Sequence, residues 1–297
     1  MVPPTPAVYS DASSKALTWT GGLDYQAAPD TLLYLMSRRG FRPGGFNTPS
    51  NGVPLPGYGP ECVNDVELGV KSDWQAAGIP IHTNADIFYQ KYRDIQVQVS
   101  TVDLVAGFIG TLDENAAAAK IRGAEFEALA QLTEDLQLGI NANYLSFDYT
   151  QINSEADAMI DAATLNATRT TNNPPWKYGL NARYHLPLNA QVGDIALRAN
   201  WSWQDTTAAT LFGPADAARP SGTVPAYGLL NMAANWDRIF GGPLDASLFA
   251  SNVINKTYLV QAASYYNEFG FAQGVYGAPR MYGIRFRYRF GAESKSR

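Results

Sequence analysis

The sequence predicts an all-β fold, an antiparallel transmembrane β-barrel, and three observations predict it. Long segments alternate apolar and polar residues with a period of two. Short turns and long polar connections take strict turns between those segments. Charge is scarce: Asp, Glu, Lys and Arg make up 16% of the 297 residues, against about 25% in an ordinary soluble domain. Hydrophobic residues reach 46%, yet no stretch approaches the roughly 20 apolar residues of a membrane-spanning helix. Tyr outnumbers Phe, 17 to 13, as suits surfaces that meet both lipid and water.

The cleanest alternation lies late in the chain. In Trp176–Leu186, residues Trp176, Tyr178, Leu180, Ala182, Tyr184 and Leu186 share one flank, and Lys177, Gly179, Asn181, Arg183 and His185 share the other. Ile195–Gln204 sets Ile195, Leu197, Ala199, Trp201 and Trp203 against Arg198, Asn200, Ser202 and Gln204. Near the end, Tyr282, Ile284, Phe286, Tyr288 and Phe290 alternate with Gly283, Arg285, Arg287 and Arg289. A helix would scatter these residues around its axis, whereas a strand sorts them onto two faces. Leu17–Tyr25, Val66–Trp74, Ile79–Lys91, Ile121–Gln131, Leu136–Tyr149, Tyr227–Trp236 and Leu244–Ile254 follow the same rule with lapses. Thr31–Arg39 reads as a strand by position and composition. The total is about eleven strands, many near the 9–11 residues of a tilted transmembrane strand.

Short turns fall at Gln26–Asp30, Gln75–Gly78, Thr133–Asp135, Pro187–Gly193 and Asp237–Pro243. Long connections fall at Gly40–Asn64, Asp94–Ala119, Thr150–Pro175, Thr207–Val224 and Asn255–Pro279. Outer-membrane barrels have this layout, with tight periplasmic turns and long extracellular loops. Trp19, Tyr25, Trp74, Tyr149, Trp176, Trp203, Trp236 and Tyr282 sit near strand ends, where aromatic girdles form.

A sheet edge inside lipid would leave a row of backbone groups without partners, so a spanning sheet must close. Eleven antiparallel strands cannot close alone, because the first and last run the same way. The expectation is therefore a chain that starts mid-barrel. Met1-Val2-Pro3-Pro4 carries neither the basic nor the apolar region of a secretory signal. The domain reading is an irregular barrel-loop segment at 1–14, a partial barrel at 15–290 and a tail at 291–297. One flank of each strand should face hydrocarbon and the other an aqueous interior, with large apolar rings kept to the first.

Several stretches carry a family resemblance: LTWTGGLDYQAAPDTLLYLMSRRGFRPGGFN (17–47), ELGVKSDW (67–74), ADIFYQKYRDIQVQ (85–98), AKIRGAEFEALAQLTEDLQLGINANYLSFDY (119–149), LFASNVINKTY (248–258) and APRMYGIRFRYRF (278–290). In order and spacing they resemble the C-terminal barrel half of TonB-dependent outer-membrane receptors. The resemblance implies strands twelve to twenty-two of a 22-stranded barrel, with the plug domain and TonB box outside this chain. It further implies uptake of a scarce solute such as a ferric siderophore, cobalamin or a saccharide. Implied partners are TonB, the plug, the barrel-assembly machinery, outer-membrane lipid and a small-molecule ligand at the extracellular loops, in the bacterial outer membrane.

Residue roles follow from that resemblance. Glu125, Glu127, Arg285, Arg287 and Arg289 are plug-facing lumen candidates. Tyr288 and Phe290 resemble the barrel-assembly signal. In the Asn255–Pro279 loop, Tyr258, Tyr265, Tyr266, Phe269, Phe271 and Tyr276 are ligand-contact candidates. Arg42-Pro43-Gly44-Gly45-Phe46-Asn47 reads as a tight loop start, with Gly44-Gly45 allowing positive φ. Asn252, Asn255 and Lys256 read as structural at the end of the penultimate strand.

Enzyme chemistry is not legible. His82 and His185 both fall on polar flanks, Cys62 has no second cysteine, and no phosphate loop or nucleophile elbow appears. No cofactor, metal or catalytic residue is expected. The net charge of −5 gives no basic footprint for nucleic acid. Two other readings compete: a stand-alone porin-like channel of about twelve strands, and a soluble β-protein that binds sugars or peptides.

Overall fold

The computed structural model describes residues 13–47, 55–103, 108–152, 173–208, 222–265 and 270–290. It is almost entirely strand: β1 (Trp19–Ala28), β2 (Thr31–Arg42), β3 (Gly45–Phe46), β4 (Gly57–Tyr58), β5 (Glu61–Ala76), β6 (Ile79–Asp103), β7 (Phe108–Gln131), β8 (Leu136–Ile152), β9 (Trp176–His185), β10 (Asp194–Gln204), β11 (Thr207–Ala208), β12 (Thr223–Val224), β13 (Tyr227–Asp237), β14 (Leu244–Ser251), β15 (Leu259–Tyr265), β16 (Phe271–Tyr276) and β17 (Met281–Tyr288). One sheet of eleven strands runs in the order β1-β2-β5-β6-β7-β8-β9-β10-β13-β14-β17. Every neighbouring pair in it is antiparallel. These are the eleven segments read from the sequence, ten by period-two alternation and Thr31–Arg39 by position and composition.

Among the described residues β1 pairs only with β2 and β17 only with β14, so the sheet is open at two edges. Ten successive antiparallel steps leave β1 and β17 running the same way.

The sheet lacks a conventional core. Among the described residues no large side chain is fully buried. The apolar side chains instead lie exposed on one face. Leu23, Leu35, Leu68, Ile87, Phe126, Ile140, Leu180, Leu197, Leu248, Ile284 and Phe286 all occupy it, and Leu23 and Ile284 are 72% and 60% exposed. Directly paired residues point to the same side, and the cross-strand register places all of these together. In water each would forgo the roughly 1.5–3 kcal/mol that burial of a large apolar side chain provides. In a barrel wall the apolar face is the outer one and the polar face the inner one.

Aromatic rings mark both ends of the apolar band. At the long-loop end Tyr144, Trp176, Tyr178 and Trp203 form a row with ring centroids 4.6, 5.6 and 5.4 Å apart. At the short-turn end the Trp74 indole N–H donates to Thr83 (2.9 Å) and that of Trp236 to the Val192 carbonyl (2.8 Å). Tyr149 is a correction: its register partner is Ala119, and it packs on the inner side against Ile95, Ala117 and Ala119.

Several connections are more ordered than alternation suggests. β6 and β7 continue through most of Asp94–Ala119, read above as a loop, as one long hairpin. Bulges between Tyr92 and Gln96, with Asp94 at φ 54°, break the period-two pattern there and hide the strands. β5 begins at Glu61 rather than Val66. Small hairpins β3/β4 and β15/β16 and the β11/β12 pair occupy three other connections. The short turns stand where expected, and Ala77-Gly78, at φ 51° and 80°, form the two-residue turn that a hairpin's twist favours.

The inner flank is not purely polar, another correction. Phe88, Phe249 and Phe147 point inward by register. Glycine explains the first two. A Cβ built at Gly123 would overlap the Phe88 ring, and one at Gly283 would meet the Phe249 ring at 2.7 Å. The rings thus lie flat along the wall over a neighbouring strand's glycine instead of projecting inward. Tyr34 lies over Gly69 in the same way.

Candidate functional site

The inner face is built strand by strand from register. Glu127 pairs with Asn141, Asn141 with Gly179, Gly179 with Ser202 and Ser202 with Leu229. Further along β13 on the same face, Ala233 pairs with Phe249, and Phe249 with Gly283. Glu125, Glu127, Arg285, Arg287 and Arg289 therefore share one wall, although they stand on strands far apart in the sheet.

Charge is sorted along that wall. On β5–β7 it is mainly acidic. Arg38 of β2 bridges Asp65 (2.7 Å) and Glu67, Tyr34 donates to Glu67 (2.9 Å), and Gln90 donates to Asp65 (3.2 Å). Asp86 stands directly across from Glu125. On β9–β17 the wall is mainly basic. Arg183 stands directly across from Arg198, and Arg289 pairs with Asp245 at 2.7 Å. Like charges set directly opposite one another are unfavourable in an isolated sheet.

The Arg38–Asp65–Glu67 cluster escapes sequence reasoning. Its signal lay in β2, whose alternation is the weakest: Leu32 and Met36 share the inner face with Tyr34 and Arg38.

The loop start at Arg42–Asn47 is knitted to the β6/β7 hairpin. Arg42 Nε reaches Gln96 (2.7 Å) and Glu61 (3.2 Å), and Gln96 Nε2 donates to the carbonyls of Pro43 and Gly59, both at 2.9 Å. Glu61 also accepts from the Tyr92 hydroxyl and the Gln96 amide, each at 2.7 Å. Tyr92 lies above the apolar band, since the outward side chains at its level are Lys91 and Arg93. Burial raises its phenol to about 12, and the bond to Glu61 acts in the same direction. Gly44 and Gly45 do not take positive φ. Glycine is required there by close approach, because a Cβ on either would overlap Tyr58.

The junction after β14 is equally tight. Asn252, 3% exposed at φ 49°, donates through Nδ2 to the carbonyls of Lys256 (2.9 Å) and Ala278 (3.1 Å). Its Oδ1 accepts from the Lys256 amide at 2.8 Å. Asn255 accepts from the Arg280 amide at 3.1 Å.

The ligand-contact candidates divide. Tyr258 packs at a tilt against Tyr227 (centroids 4.6 Å apart) and lies against Gly277, so it anchors the base of the β15/β16 hairpin. Phe271 and Tyr276 are 51% and 68% exposed on that hairpin. Tyr265 lies in β15, paired with Phe271. Tyr266 and Phe269 fall outside the described residues. At the end of the sheet, the exposed rings of Tyr288 and Phe290 meet at 4.8 Å.

Each histidine meets an aspartate across its hairpin: His82 with Asp73 at 2.6 Å, and His185 with Asp194 at 3.1 Å. Among the described residues no three His, Cys, Asp or Glu side chains gather as a metal site.

A family model for TonB dependent receptor-like β-barrels matches residues 3–255. The chain belongs to that family. TonB-dependent receptors bind small-molecule ligands, work with TonB in the bacterial outer membrane, and are transporters rather than enzymes. Solved receptor structures share the fold of this TonB-dependent receptor barrel. The ferric yersiniabactin uptake receptor FyuA from Yersinia pestis superposes with a TM-score of 0.71 at 18% identity, over 92% of this chain and 37% of the receptor. The siderophore receptor PiuA from Acinetobacter baumannii gives 0.67 at 17% identity, over 94% of this chain and 38% of the receptor. BauA, the ferric preacinetobactin receptor from Acinetobacter baumannii, gives 0.63 at 18% identity, over 92% and 36%. The chain thus spans a little over a third of the length of these receptors. No curated protein matches it.

Proposed function

We propose that this chain forms part of the wall of an outer-membrane TonB-dependent receptor that takes up a scarce solute: a ferric siderophore, cobalamin or a saccharide. One observation carries the reading. A single antiparallel meander of eleven strands has an apolar, exposed outer face and a polar, charge-sorted inner face, within a chain that matches the receptor-barrel family over residues 3–255. Ferric siderophores lead the list because the similar structures include a ferric yersiniabactin uptake receptor, a siderophore receptor and a ferric preacinetobactin receptor.

In this reading Glu125, Glu127, Arg285, Arg287 and Arg289 face a plug domain, and lipid covers the outer face. Tyr288 and Phe290 serve recognition by the barrel-assembly machinery. The exposed Phe271 and Tyr276 are the better placed of the ligand-contact candidates, whereas Tyr258 is committed to Tyr227.

The match to the receptor-barrel family over residues 3–255 weighs against a stand-alone porin. β1 and β17 run the same way and cannot pair antiparallel with each other, so closure in lipid calls for an odd number of further strands between them. A soluble β-protein would leave the apolar face in water.

Uptake in a strain deleted for the gene that encodes this chain tests the proposal. Radiolabelled ferric siderophores, cobalamin and saccharides are supplied with TonB intact and with TonB removed. The expected result is loss of accumulation for one of these solutes, matching the loss without TonB. Unchanged uptake of all three classes contradicts it.

A further inference from the structure

The basic stretch of the inner wall holds a concavity of about 550 Å³, whose polar lining includes Gln137, Asn181, Arg183, Arg198 and Asn200. Register builds it. Gln137 pairs with Arg183, and Arg183 with Arg198. In the next inward row toward the long loops, Gly139 pairs with Asn181, and Asn181 with Asn200. A Cβ on Gly139 would meet the Asn181 amide at 2.5 Å, so glycine there lets that amide lie across β8. Arg183 stands two residues before the end of β9. The concavity therefore lies toward the short turns, away from the β15/β16 hairpin.

Asn181, Arg183, Arg198 and Asn200 are exposed. Among the described residues none of the four has a hydrogen-bond or ion-pair partner. The acids of this stretch stand nearer the short turns. Asp194 meets His185 at 3.1 Å, Asp245 meets Arg289 at 2.7 Å, and Asp135 and Asp237 lie at the turns themselves. Directly opposed cross-strand side chains start only about 4.5–5.5 Å apart, and like charges so placed are unfavourable. An anion shared by the two guanidiniums removes that cost. The whole chain carries a net charge of −5, so the attraction for anions is local to this wall.

The donor count decides what kind of anion fits. A guanidinium offers about five N–H donors and a side-chain amide about two, whereas one carboxylate offers about four lone-pair sites. Gln137 spends one donor on Gln131 at 3.3 Å. A single carboxylate would leave most of the set unused. We propose that this concavity binds a solute with two or more oxyanion groups, carboxylates or phosphates. One group lies between Arg183 and Arg198, where charge-assisted bonds are strongest; another meets the amides of Asn181, Asn200 and Gln137. The inference rests on the uptake reading above and deepens it: the solute is polyanionic, and its inner-wall site is separate from Phe271 and Tyr276. The rival occupant is a lone acidic side chain from a neighbouring segment, and the surplus of donors speaks against it.

The full chain is folded in zwitterionic detergent and titrated calorimetrically with citrate, with acetate, and with a neutral-ended peptide containing one glutamate. Citrate should bind once per chain and at least about tenfold more tightly than acetate or the peptide, since each further charge-assisted contact contributes about that factor. Arg183→Gln/Arg198→Gln should weaken citrate by at least about tenfold on the same grounds. Asn181→Ala/Asn200→Ala, which keeps both cations, should weaken it several-fold. Lys91→Gln/Lys120→Gln, which removes as much charge from the outer face, should bind citrate as the parent does. β-Sheet circular dichroism should match the parent in every variant. Citrate binding no tighter than acetate, equal binding by the double-arginine variant and the parent, or equal loss in the outer-face variant overturns the proposal. A glutamate peptide that binds as tightly as citrate overturns it in favour of a side-chain occupant. A chain that binds citrate as expected but stays dissolved without detergent upholds the site and overturns the barrel reading alone.

Discussion

Asn47 and Asp113, 66 residues apart in sequence, hold each other at both ends of an amide: Asn47 Nδ2 donates to the Asp113 carbonyl at 2.9 Å, and the Asp113 N–H donates to Asn47 Oδ1 at 2.8 Å. A third bond from Nδ2 reaches the Pro56 carbonyl at 2.8 Å. Asn47 is 8% exposed, so water does not readily replace these partners. Asn47→Ala should weaken the local clasp by roughly 1–3 kcal/mol. The check is amide hydrogen exchange at Asp113, which should speed up while amides in β13 and β14 keep their rates.

The glycines under aromatic rings make a second prediction. Gly123→Val should force the Phe88 ring off the wall and cost roughly 1–3 kcal/mol, as overpacking does. Adding Phe88→Ala should recover part of the loss, because the two side chains compete for one space. Thermal midpoints of the chain in detergent, read by loss of β-sheet circular dichroism, check both.

Removing the Arg38 side chain strands two carboxylates. Those of Asp65 and Glu67 are only 7% and 19% exposed, whereas Arg38 is 43% exposed. Allowing for that exposure, Arg38→Ala should cost roughly 1–3 kcal/mol. Replacing all three, as Arg38→Met/Asp65→Asn/Glu67→Gln, should restore most of the midpoint, since the penalty lies in the unpaired charges.

At the β14 junction the backbone and side chain of Asn252 can be separated. Asn252→Gly keeps access to positive φ but loses three side-chain bonds, and Asn252→Ala loses both. Both variants should raise protease cutting near Lys256, with Ala the worse by roughly 1 kcal/mol in local opening. Equal cutting in the two would mean that the hydrogen bonds alone hold the turn.

Much of this fold is legible in the sequence, and the reason is the solvent. A strand with lipid on one side and water on the other must alternate, as Tyr282–Phe290 does residue by residue. Legibility fails where that constraint lapses. Beyond the band, the bulges at Tyr92–Gln96 shift the register and the β6/β7 extension reads as loop. On β2, Leu32 and Met36 blur the inner face and conceal Arg38 among them. Tyr149 reads as a girdle residue because its place near a strand end is visible and its inward direction is not. For Gly44 and Gly45 the sequence suggests positive φ, whereas the position of Tyr58 makes close approach the requirement. The ligand-contact residues stay at the level of composition, because nothing in Phe271 or Tyr276 beyond exposure marks a solute.

The central claim is that one flank of these strands meets hydrocarbon and the other an aqueous interior. It is tested by replacing residues 284–287 singly with cysteine in a Cys62→Ser chain, reconstituting each in bilayers, and measuring labelling by a water-soluble maleimide. Positions 285 and 287 should label quickly, and 284 and 286 should be protected. Uniform labelling along the strand, or protection of 285 in place of 284, would contradict the account.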